Sequence, residues 1–226
     1  MKNKIFITGT DTEVGKTFVT ALLAKGFCKL GRTVLTQKWV ETGNTEVSED
    51  LKYHAEIMGQ PLNPALYKCQ NPYLFSLAAS PHLAARLDGK SIDINVLAES
   101  TEHLSDMADI LLIEGAGGLL VPLAERVLTA DVVKAVSASV LVVADNKLGC
   151  VNHILLTLNA LKSYNIEVLG IIFNRTGLDT KLTEFALADN IDIVKKISGV
   201  PVFGEVLEHA TEAKSICEEI LEELGW

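Results

Sequence analysis

The sequence has no long apolar run, few aromatic residues and few cysteines. Apolar segments such as 110–113 and 140–144 are far shorter than the roughly 20 residues of a membrane-spanning helix. Aromatic residues make up 6% of the chain, and its four cysteines lie far apart without a CxxC spacing, which argues against a disulfide framework or a zinc site. The N-terminus enters a strand-like run without the apolar core of a signal peptide. We therefore expect a cytoplasmic protein that has no membrane partner.

Basic residues are also scarce relative to acidic ones. The chain has 20 Lys and Arg against 29 Asp and Glu, for a formal net charge of −9. A nucleic-acid binder would need a concentrated basic face to overcome this charge, and no run of Lys and Arg is long enough. We therefore expect no nucleic-acid partner. Apolar residues make up 48% of the 226 positions, which is enough for a packed core and excludes intrinsic disorder.

Short runs of aliphatic and β-branched residues alternate with stretches whose apolar residues recur at helical spacing. The strand-like runs are 5–7, 33–35, 110–113, 140–143, 168–173 and 202–203, and the helical stretches are 17–30, 93–108, 129–137, 152–164, 179–197 and 211–224. Strands without polar alternation are typical of a parallel sheet that is covered by helices on both faces. The prediction is one doubly wound, mostly parallel α/β domain over residues 1–226. The proline-containing segment 43–75 is expected to form a helix and a loop over the site.

The strongest local signal is the segment 9–17, GTDTEVGKT, between the first predicted strand and the first predicted helix. A loop that ends in Gly-Lys-Thr at a helix N-terminus is typical of a P-loop, whose backbone N–H groups surround phosphate oxygens. Thr10 stands where the standard spacing has its first glycine. Lys16 is expected to contact the β- and γ-phosphates of a nucleotide, and the Thr17 hydroxyl to bind Mg²⁺. The predicted fold is therefore of the P-loop NTPase type.

Three further positions follow predicted strands, at the edge where open α/β sheets bind ligands. Lys38 follows the second strand and adds a second positive charge. Glu114 ends the 110–113 strand, where a Walker-B-type carboxylate helps to hold the metal ion, and the glycines of 115–118 allow a ligand to approach the backbone. Asn174 ends the 168–173 strand, and its amide offers a donor and an acceptor to the edge of an adenine ring.

Taken together, these segments resemble the dethiobiotin synthetase family. The motifs that carry the resemblance, in order over 5–174, are 9–17 (GTDTEVGKT), Lys38 with Thr42-Gly43, Asn71-Pro72-Tyr73, Ser80-Pro81-His82, 114–118 (EGAGG) and 147–153 (KLGCVNH). The resemblance implies a cyclo-ligase that uses ATP and Mg²⁺ to convert 7,8-diaminopelargonic acid and CO₂ into dethiobiotin. The implied route passes through a carbamate and a carbamic–phosphoric anhydride and releases ADP and phosphate.

The same resemblance implies a role for each site residue. Lys38, at the carbamate and γ-phosphate, and Lys16, at the β/γ bridge, would be the catalytic residues, while Thr17 and Glu114 would hold Mg²⁺. The residues expected to bind ATP are Glu13, Val14, Gly15, Lys16, Thr17, Phe18, Glu114, Gly115, Ala116, Gly117, Asn174, Arg175, Leu207, Glu208 and His209. The residues expected to bind the diamine substrate are Thr12, Lys38, Thr42, Gly117, Gly118, Gly149, Cys150 and Asn152.

The KLGCVNH segment implies a homodimer whose site is shared between subunits. In the family this segment comes from the neighbouring subunit and binds the distal carboxylate of the substrate. Backbone N–H groups around Gly149 and Cys150, at the start of a helix, would suit an anion. Cys150 itself is expected to be a small buried residue and not a nucleophile.

Four positions depart from the family pattern. Thr42 replaces the usual Ser, Trp39 replaces the usual Pro, and Glu208 replaces an apolar residue near the base, where it bears on nucleotide selectivity. The family's Asp near the metal ion is expected at 53–55, where this chain reads Tyr-His-Ala. Candidates to replace it are Asp50, Glu56 or water, since His54 would be a poor Mg²⁺ ligand.

Three alternatives stay open from the sequence alone. A partitioning or metallocluster-maturation ATPase shares the Gly-Lys-Thr loop and a dimeric site, although the second lysine of such proteins is absent from 9–13. A differently specific amide-forming relative would use the same fold on another carboxylate or amine. A catalytically inactive nucleotide-binding regulatory module would account for the missing Asp.

Overall fold

A computed structural model describes residues 3–177 and 182–226. In these residues the strands are β1 (Lys4–Gly9), β2 (Val34–Lys38), β3 (Val40–Thr42), β4 (Tyr73–Phe75), β5 (Ile110–Gly118), β6 (Pro122–Ala124), β7 (Val127–Leu128), β8 (Ser139–Asp145), β9 (Val168–Asn174) and β10 (Val202–Val206). The helices are α1 (Lys16–Lys29), α2 (Glu49–Met58), α3 (Tyr67–Gln70), α4 (Pro81–Leu87), α5 (Ile94–Ser105), α6 (Thr129–Ala135), α7 (Cys150–Tyr164), α8 (Glu184–Ser198) and α9 (Lys214–Leu224).

Six strands form one parallel sheet in the order β10-β9-β8-β1-β5-β2. Successive side chains of a strand point to opposite faces, so the central strand β1 contributes to two cores. Phe6 packs with residues of α5, α6 and α7 on one face, whereas Ile5 and Ile7 pack with α1 and α9 on the other. The predicted doubly wound parallel sheet is therefore confirmed, and each predicted strand run overlaps one of its six strands, with only Thr33 outside.

The segment 43–75 contains more regular structure than the sequence predicts. Besides the expected helix α2, it includes the short helix α3 and strand β4, which pairs in parallel with β3. The backbone N–H groups of Gly43 and Asn44 donate to the Phe75 carbonyl at 2.9 and 3.1 Å. A three-residue strand is too short to show a hydrophobic period, so the sequence offers no signal for this pair.

Several helices begin at other residues than predicted. Helix α7 begins at Cys150 instead of 152, and α9 begins at Lys214 instead of 211. The predicted start of α8 at 179 lies among residues 178–181, outside the described part of the chain, and the described helix begins at Glu184. Across 3–177 and 182–226, none of the helices has the length and apolar character needed to cross a membrane.

Candidate active site

The carboxyl ends of neighbouring parallel strands bring the sequence motifs to one edge of the sheet. Strand β5 lies between β1 and β2, and Glu114 is in register with Lys38 on one side and Ile7 on the other. The loop after β1 leads directly into α1, which begins at Lys16. As a result, the P-loop, Lys38 and Glu114 line one cleft of about 600 Å³.

The P-loop wraps closely around its own lysine. Glu13 and Gly15 both have a positive φ, of 57° and 86°, and Lys16 is buried with its Nζ 3.3 Å from the Asp11 carbonyl oxygen. A Cβ atom at Gly15 would lie 2.1 Å from Nδ2 of Asn174, so this position requires glycine for space as well as for conformation. Burial lowers the pKa of Lys16 from its usual value.

Lys38 and Glu114 form a buried ion pair at the centre of the cleft. Glu114 Oε1 accepts from Lys38 Nζ at 2.8 Å and from the Thr17 hydroxyl at 3.0 Å. Burial alone would raise the pKa of Glu114, but Lys38 and His54 beside it together hold that pKa far below its usual range. Burial would likewise lower the pKa of Lys38, but Glu114 and Asp50 raise it above its usual value. Both groups are therefore charged at neutral pH.

Asp50 reaches this centre from α2. Ser48 caps the helix by accepting from the Leu51 N–H at 3.1 Å, and the helix begins at Glu49, so Asp50 lies in its first turn. From there the Asp50 carboxylate forms an ion pair with Lys38 Nζ. Of the two side chains named as candidates to replace the Asp expected at 53–55, Asp50 therefore lines the cleft beside Lys38. The other candidate, Glu56, is exposed and lies outside the cleft lining.

His54 also faces the centre, although the sequence analysis rejected it as a metal ligand. It lies one helical turn after Asp50, is 0% exposed, and its Nε2 is 3.2 Å from Glu114 Oε2. The two α2 side chains therefore contact the two members of the buried pair, since Asp50 meets Lys38 and His54 meets Glu114.

The rest of the cleft lining includes residues that the sequence analysis named and others that it missed. Named residues that line it are Thr12, Glu13, Gly15, Lys16, Thr17, Lys38, Thr42, Glu114, Ala116 and Gly117. Glu41, Asn44 and Glu49 also line it and were missed. The only available signal was the position of Glu41 between Lys38 and Thr42. Gly115 packs against Phe6, and Gly118 is in register with Gly9, so both lie outside the lining.

The residues expected at the base lie beyond the P-loop, at the ends of β9 and β10. Asn174 is buried, and its Nδ2 donates to the Val14 carbonyl at 2.9 Å, so its amide is not free to offer both a donor and an acceptor. Its Oδ1 has no hydrogen-bond partner among the described residues. The Val14 side chain belongs to the core, and Phe18 packs against the same core. A second cleft of about 660 Å³ is lined by Arg175, Leu207, Glu208 and His209, among others.

The KLGCVNH segment forms the exposed start of α7 and does not line the P-loop cleft. Gly149 precedes the helix with a φ of 90°, Leu148 is 79% exposed, and Asn152 is exposed as well. Cys150 is buried as expected. Its backbone N–H donates to the Lys147 carbonyl at 3.1 Å, so this one N–H of the segment is engaged within the chain.

A P-loop at the carboxyl edge of a parallel sheet, opposite a strand-end acid, defines a P-loop NTPase. Solved structures of that class are similar across nearly the whole chain. The MinC:MinD cell division complex from Aquifex aeolicus has a TM-score of 0.61 and 15% identity, covering 98% of this chain and 96% of that one. The pNOB8 ParA structure has a TM-score of 0.63 and 16% identity, covering 100% and 99%. At such identities the likeness shows the fold alone.

Sequence relatives identify the family within this class. A family model described as an AAA domain matches residues 3–211. The ATP-dependent dethiobiotin synthetase BioD of Chlorobaculum tepidum is 44% identical over 177 residues, which is 77% of this chain and 74% of the relative. That of Lysinibacillus sphaericus is 42% identical over 229 residues, covering 96% and 95%. The chain belongs to the dethiobiotin synthetase family, and its activity is the ATP-dependent synthesis of dethiobiotin, a ligase reaction.

Proposed function

We propose that the cleft makes dethiobiotin from 7,8-diaminopelargonic acid, CO₂ and ATP by positioning and charge neutralisation. One amine of the substrate adds to CO₂ and loses a proton, which gives a carbamate. A carbamate oxygen attacks the γ-phosphorus of ATP, and the bond from that phosphorus to the β/γ bridging oxygen breaks to release ADP. The second amine attacks the carbonyl carbon of the resulting anhydride, loses a proton and expels phosphate as the ureido ring closes.

The observation that carries this proposal is the position of Lys38 between two carboxylates. Its Nζ contacts Glu114 Oε1 at 2.8 Å, the Gly115 carbonyl oxygen at 3.2 Å, and Asp50. The carbamate and the transferred phosphoryl group are both anionic, and a lysine that is kept ionised neutralises charge where the transition state develops it. Lys16, in the same cleft, would act at the β/γ bridge. The remaining work is orientation of the reactants, so no protein nucleophile is required.

The side chains beside Lys38 fit a magnesium ion. The Thr17 hydroxyl and the carboxylates of Glu114 and Asp50 are hard oxygen donors in the lining of one cleft, and Mg²⁺ prefers such donors and keeps several of its waters. We assign Thr17 and Glu114 to the ion, with Asp50 as a third donor. When bound, Mg²⁺ would neutralise the phosphate oxygens during transfer.

The remaining site residues are assigned either to ATP or to the diamine. For ATP, the backbone from Glu13 to Phe18 would hold the phosphates, residues 115–117 would approach them, and Asn174 Oδ1 would accept from an adenine amino group beside Arg175 and residues 207–209. For the diamine, Thr12, Thr42 and the backbone at Gly117 and Gly118 would hold the reacting amines.

We further propose a cytoplasmic homodimer in which the segment 149–152 reaches the neighbouring cleft. This segment lies at an exposed helix start outside its own P-loop cleft, and the first N–H groups of a helix favour an anion such as the substrate's distal carboxylate. Since Cys150 uses its own N–H internally, the groups of Val151 and Asn152 would serve instead.

The test measures phosphate and dethiobiotin with MgATP, CO₂ and the diamine, omitting each in turn. We expect phosphate release only with all components present. With ¹⁸O-labelled CO₂ in ordinary water, sampled before the label exchanges, each dethiobiotin formed should be accompanied by one phosphate that carries a single ¹⁸O. Unlabelled phosphate would contradict the carbamate attack, and ATP binding without diamine-dependent release would favour the inactive regulatory module.

A further inference from the structure

His54 is a buried polar side chain that no step of the proposed reaction uses. It is 0% exposed, and its Nε2 lies 3.2 Å from Oε2 of Glu114. The other oxygen of Glu114, Oε1, already accepts from Thr17 and Lys38. The two oxygens of this carboxylate therefore face different partners, with the imidazole on one side and the hydroxyl and ammonium groups on the other.

The imidazole is the polar group that Oε2 faces. Among residues 3–177 and 182–226, Oε2 of Glu114 and both ring nitrogens of His54 are buried without a well-aligned hydrogen bond, although Nε2 and Oε2 lie only 3.2 Å apart. A buried imidazole with an unpaired nitrogen costs stability relative to an apolar side chain of similar size. A small rotation of either side chain would turn the 3.2 Å approach of Nε2 to Oε2 into a hydrogen bond, and that bond would compensate for this cost.

The position of His54 along α2 accounts for its alignment. Residues four apart lie on the same face of a helix, so His54 and Asp50 point to the same side of α2. Asp50 forms an ion pair with Lys38, which holds the start of the helix at the cleft. His54 then lies one turn further along the helix, next to Oε2, the oxygen of Glu114 that does not accept from Thr17.

We propose that His54 is a positioning residue, which donates from Nε2–H to Glu114 Oε2 and thereby keeps Oε1 turned towards Thr17 and Lys38. The inference rests on the proposed role of Glu114 in the magnesium site. Both the neutral Nε2–H tautomer and the imidazolium form carry this proton, so the role does not depend on the charge of the ring. Partners of this kind orient the groups that bind a metal ion, and their loss typically weakens metal binding by about 10–100-fold.

The experiment compares three variants of the full-length chain. His54→Phe keeps the ring and removes the donor, His54→Gln retains an N–H at the reach of Nε2, and Glu56→Gln is the control because Glu56 is an exposed carboxylate on the same helix. ATP binding is titrated with Mg²⁺ in the absence of the diamine, so no turnover is needed. Steady-state kinetics with all substrates are then measured at low and saturating Mg²⁺, and thermal unfolding without Mg²⁺ monitors the fold.

We expect His54→Phe to raise the half-saturating Mg²⁺ concentration by about tenfold. High Mg²⁺ should restore most of its kcat, and His54→Gln should lie within a few-fold of the unmodified protein, as should Glu56→Gln. A purely structural role would lower the melting temperature without moving the Mg²⁺ requirement. Equal Mg²⁺ titrations for the Phe and Gln variants would overturn the proposal.

A measurement on the unmodified chain keeps the proposal testable if His54→Phe does not fold. In protein labelled with ¹⁵N at its five histidines, His54 should show a slowly exchanging proton on Nε2 that shifts when Mg²⁺ and ATP are added. A proton found on Nδ1 alone would refute the donation. Glu114→Gln distinguishes the proposed metal site from the proposed role of His54, because an unchanged Mg²⁺ titration there would remove the metal site itself, whereas a weakened one leaves only His54 in question.

Discussion

At the scale of single residues, the site is built from groups whose charges would be costly to bury alone. Lys38 and Glu114 are both nearly inaccessible, and each is ionised because the other lies 2.8 Å away. Asp50 and His54 extend this pair into a row of four side chains. The resulting arrangement holds a positive charge rigidly at the place where we propose that the carbamate and γ-phosphate meet.

Lys38→Met should lower kcat by about 10²–10³-fold, as does the loss of one transition-state charge contact in other enzymes. The affinity for ATP should change by only a few-fold, because the P-loop is untouched. Turnover and equilibrium ATP binding are the measurements, with the melting temperature recorded because Glu114 loses a partner. Lys52→Met, at an exposed lysine of α2, is the matched control. Full ring-closing activity in Lys38→Met would rule out its role at the reacting centre.

At the scale of elements, two short segments set the geometry of the cleft. One is the P-loop, which turns into α1 through Gly15. The other is the loop before α2, which the buried Glu41 of β3 holds by accepting from the Glu49 N–H at 2.8 Å, from Asn44 Nδ2 and from the Ser48 hydroxyl. The backbone path of each segment depends on one residue, which is Gly15 for the P-loop and Glu41 for the loop before α2.

Gly15→Ala should weaken ATP binding by about tenfold and destabilise the fold. The added methyl group would lie 2.1 Å from Asn174 Nδ2 and displace it from the Val14 carbonyl, so one buried hydrogen bond and the path of the loop would both be lost. Gly31→Ala is the control, since Gly31 has a φ of 80° with nothing within 4 Å of an added Cβ. It should cost only the strain of the conformation, about 1–2 kcal/mol. Equal ATP affinities of the two variants would contradict the expectation that the contact of residue 15 with Asn174 shapes the nucleotide site.

Glu41→Gln should loosen the start of α2. A carboxamide has one oxygen where the carboxylate has two, so at least one of the three donors loses its acceptor, at a cost of about 1–3 kcal/mol. Because Asp50, the proposed third donor to Mg²⁺, follows directly in the helix, the Mg²⁺ concentration needed for ATP binding should rise as well. Thermal unfolding and the Mg²⁺ titration of ATP binding are the measurements. Glu46→Gln, at an exposed position of the loop between β3 and α2, should leave both unchanged. If the two variants behave alike, Glu41 does not align the helix.

At the scale of the whole molecule, the proposed shared site can be tested by mixing inactive subunits. Lys38→Met damages the P-loop cleft, and Asn152→Glu would place a negative charge where we propose that the partner's substrate carboxylate binds. If the site is shared across a homodimer, a mixed dimer contains one intact site and one site with both defects. Random mixing should therefore restore roughly a quarter of the unmodified activity.

The measurement is the activity of the two variants after they are refolded together, compared with the activity of each variant alone. Size-exclusion chromatography at several concentrations provides the control for dimer formation. Mixed samples that stay as inactive as their parents, although dimeric, would contradict a site shared between subunits.

The central sheet could be predicted from the sequence because buried parallel strands are rich in aliphatic and β-branched residues. The runs 110–113 and 140–143 lie within β5 and β8, and the Gly-Lys-Thr loop lies between strand and helix as expected. The pair β3 and β4 was missed because strands of three residues show no period. The predicted starts of α7 and α9 differ from the observed starts by two and three residues. Such differences are normal, because capping residues and not hydrophobic periodicity decide where a helix begins. That residues 1–226 form a single domain stays a prediction.

In the site, the sequence was informative about side chains that belong to a motif and uninformative about those brought in by packing. Lys16, Thr17, Lys38 and Glu114 follow strands or open a helix, so their positions could be predicted from the order of elements. Asp50 and His54 come from α2 and Glu41 comes from β3, and their distance from β5 along the chain gives no hint of contact. Which candidate would replace the expected Asp could therefore not be decided from spacing.

The sequence by itself determined the class of fold, the phosphate loop, the family and the chemistry that the family performs. These follow from local patterns, since hydrophobic composition decides the strands and glycine with lysine at a helix start decides the loop. Only the tertiary structure decided that Asp50 meets Lys38, that His54 meets Glu114, and that Gly118 and the Cys150 N–H are engaged within the chain. Those contacts depend on how α2 and the loop before it pack against the sheet, and packing of that kind leaves no repeating pattern in the sequence.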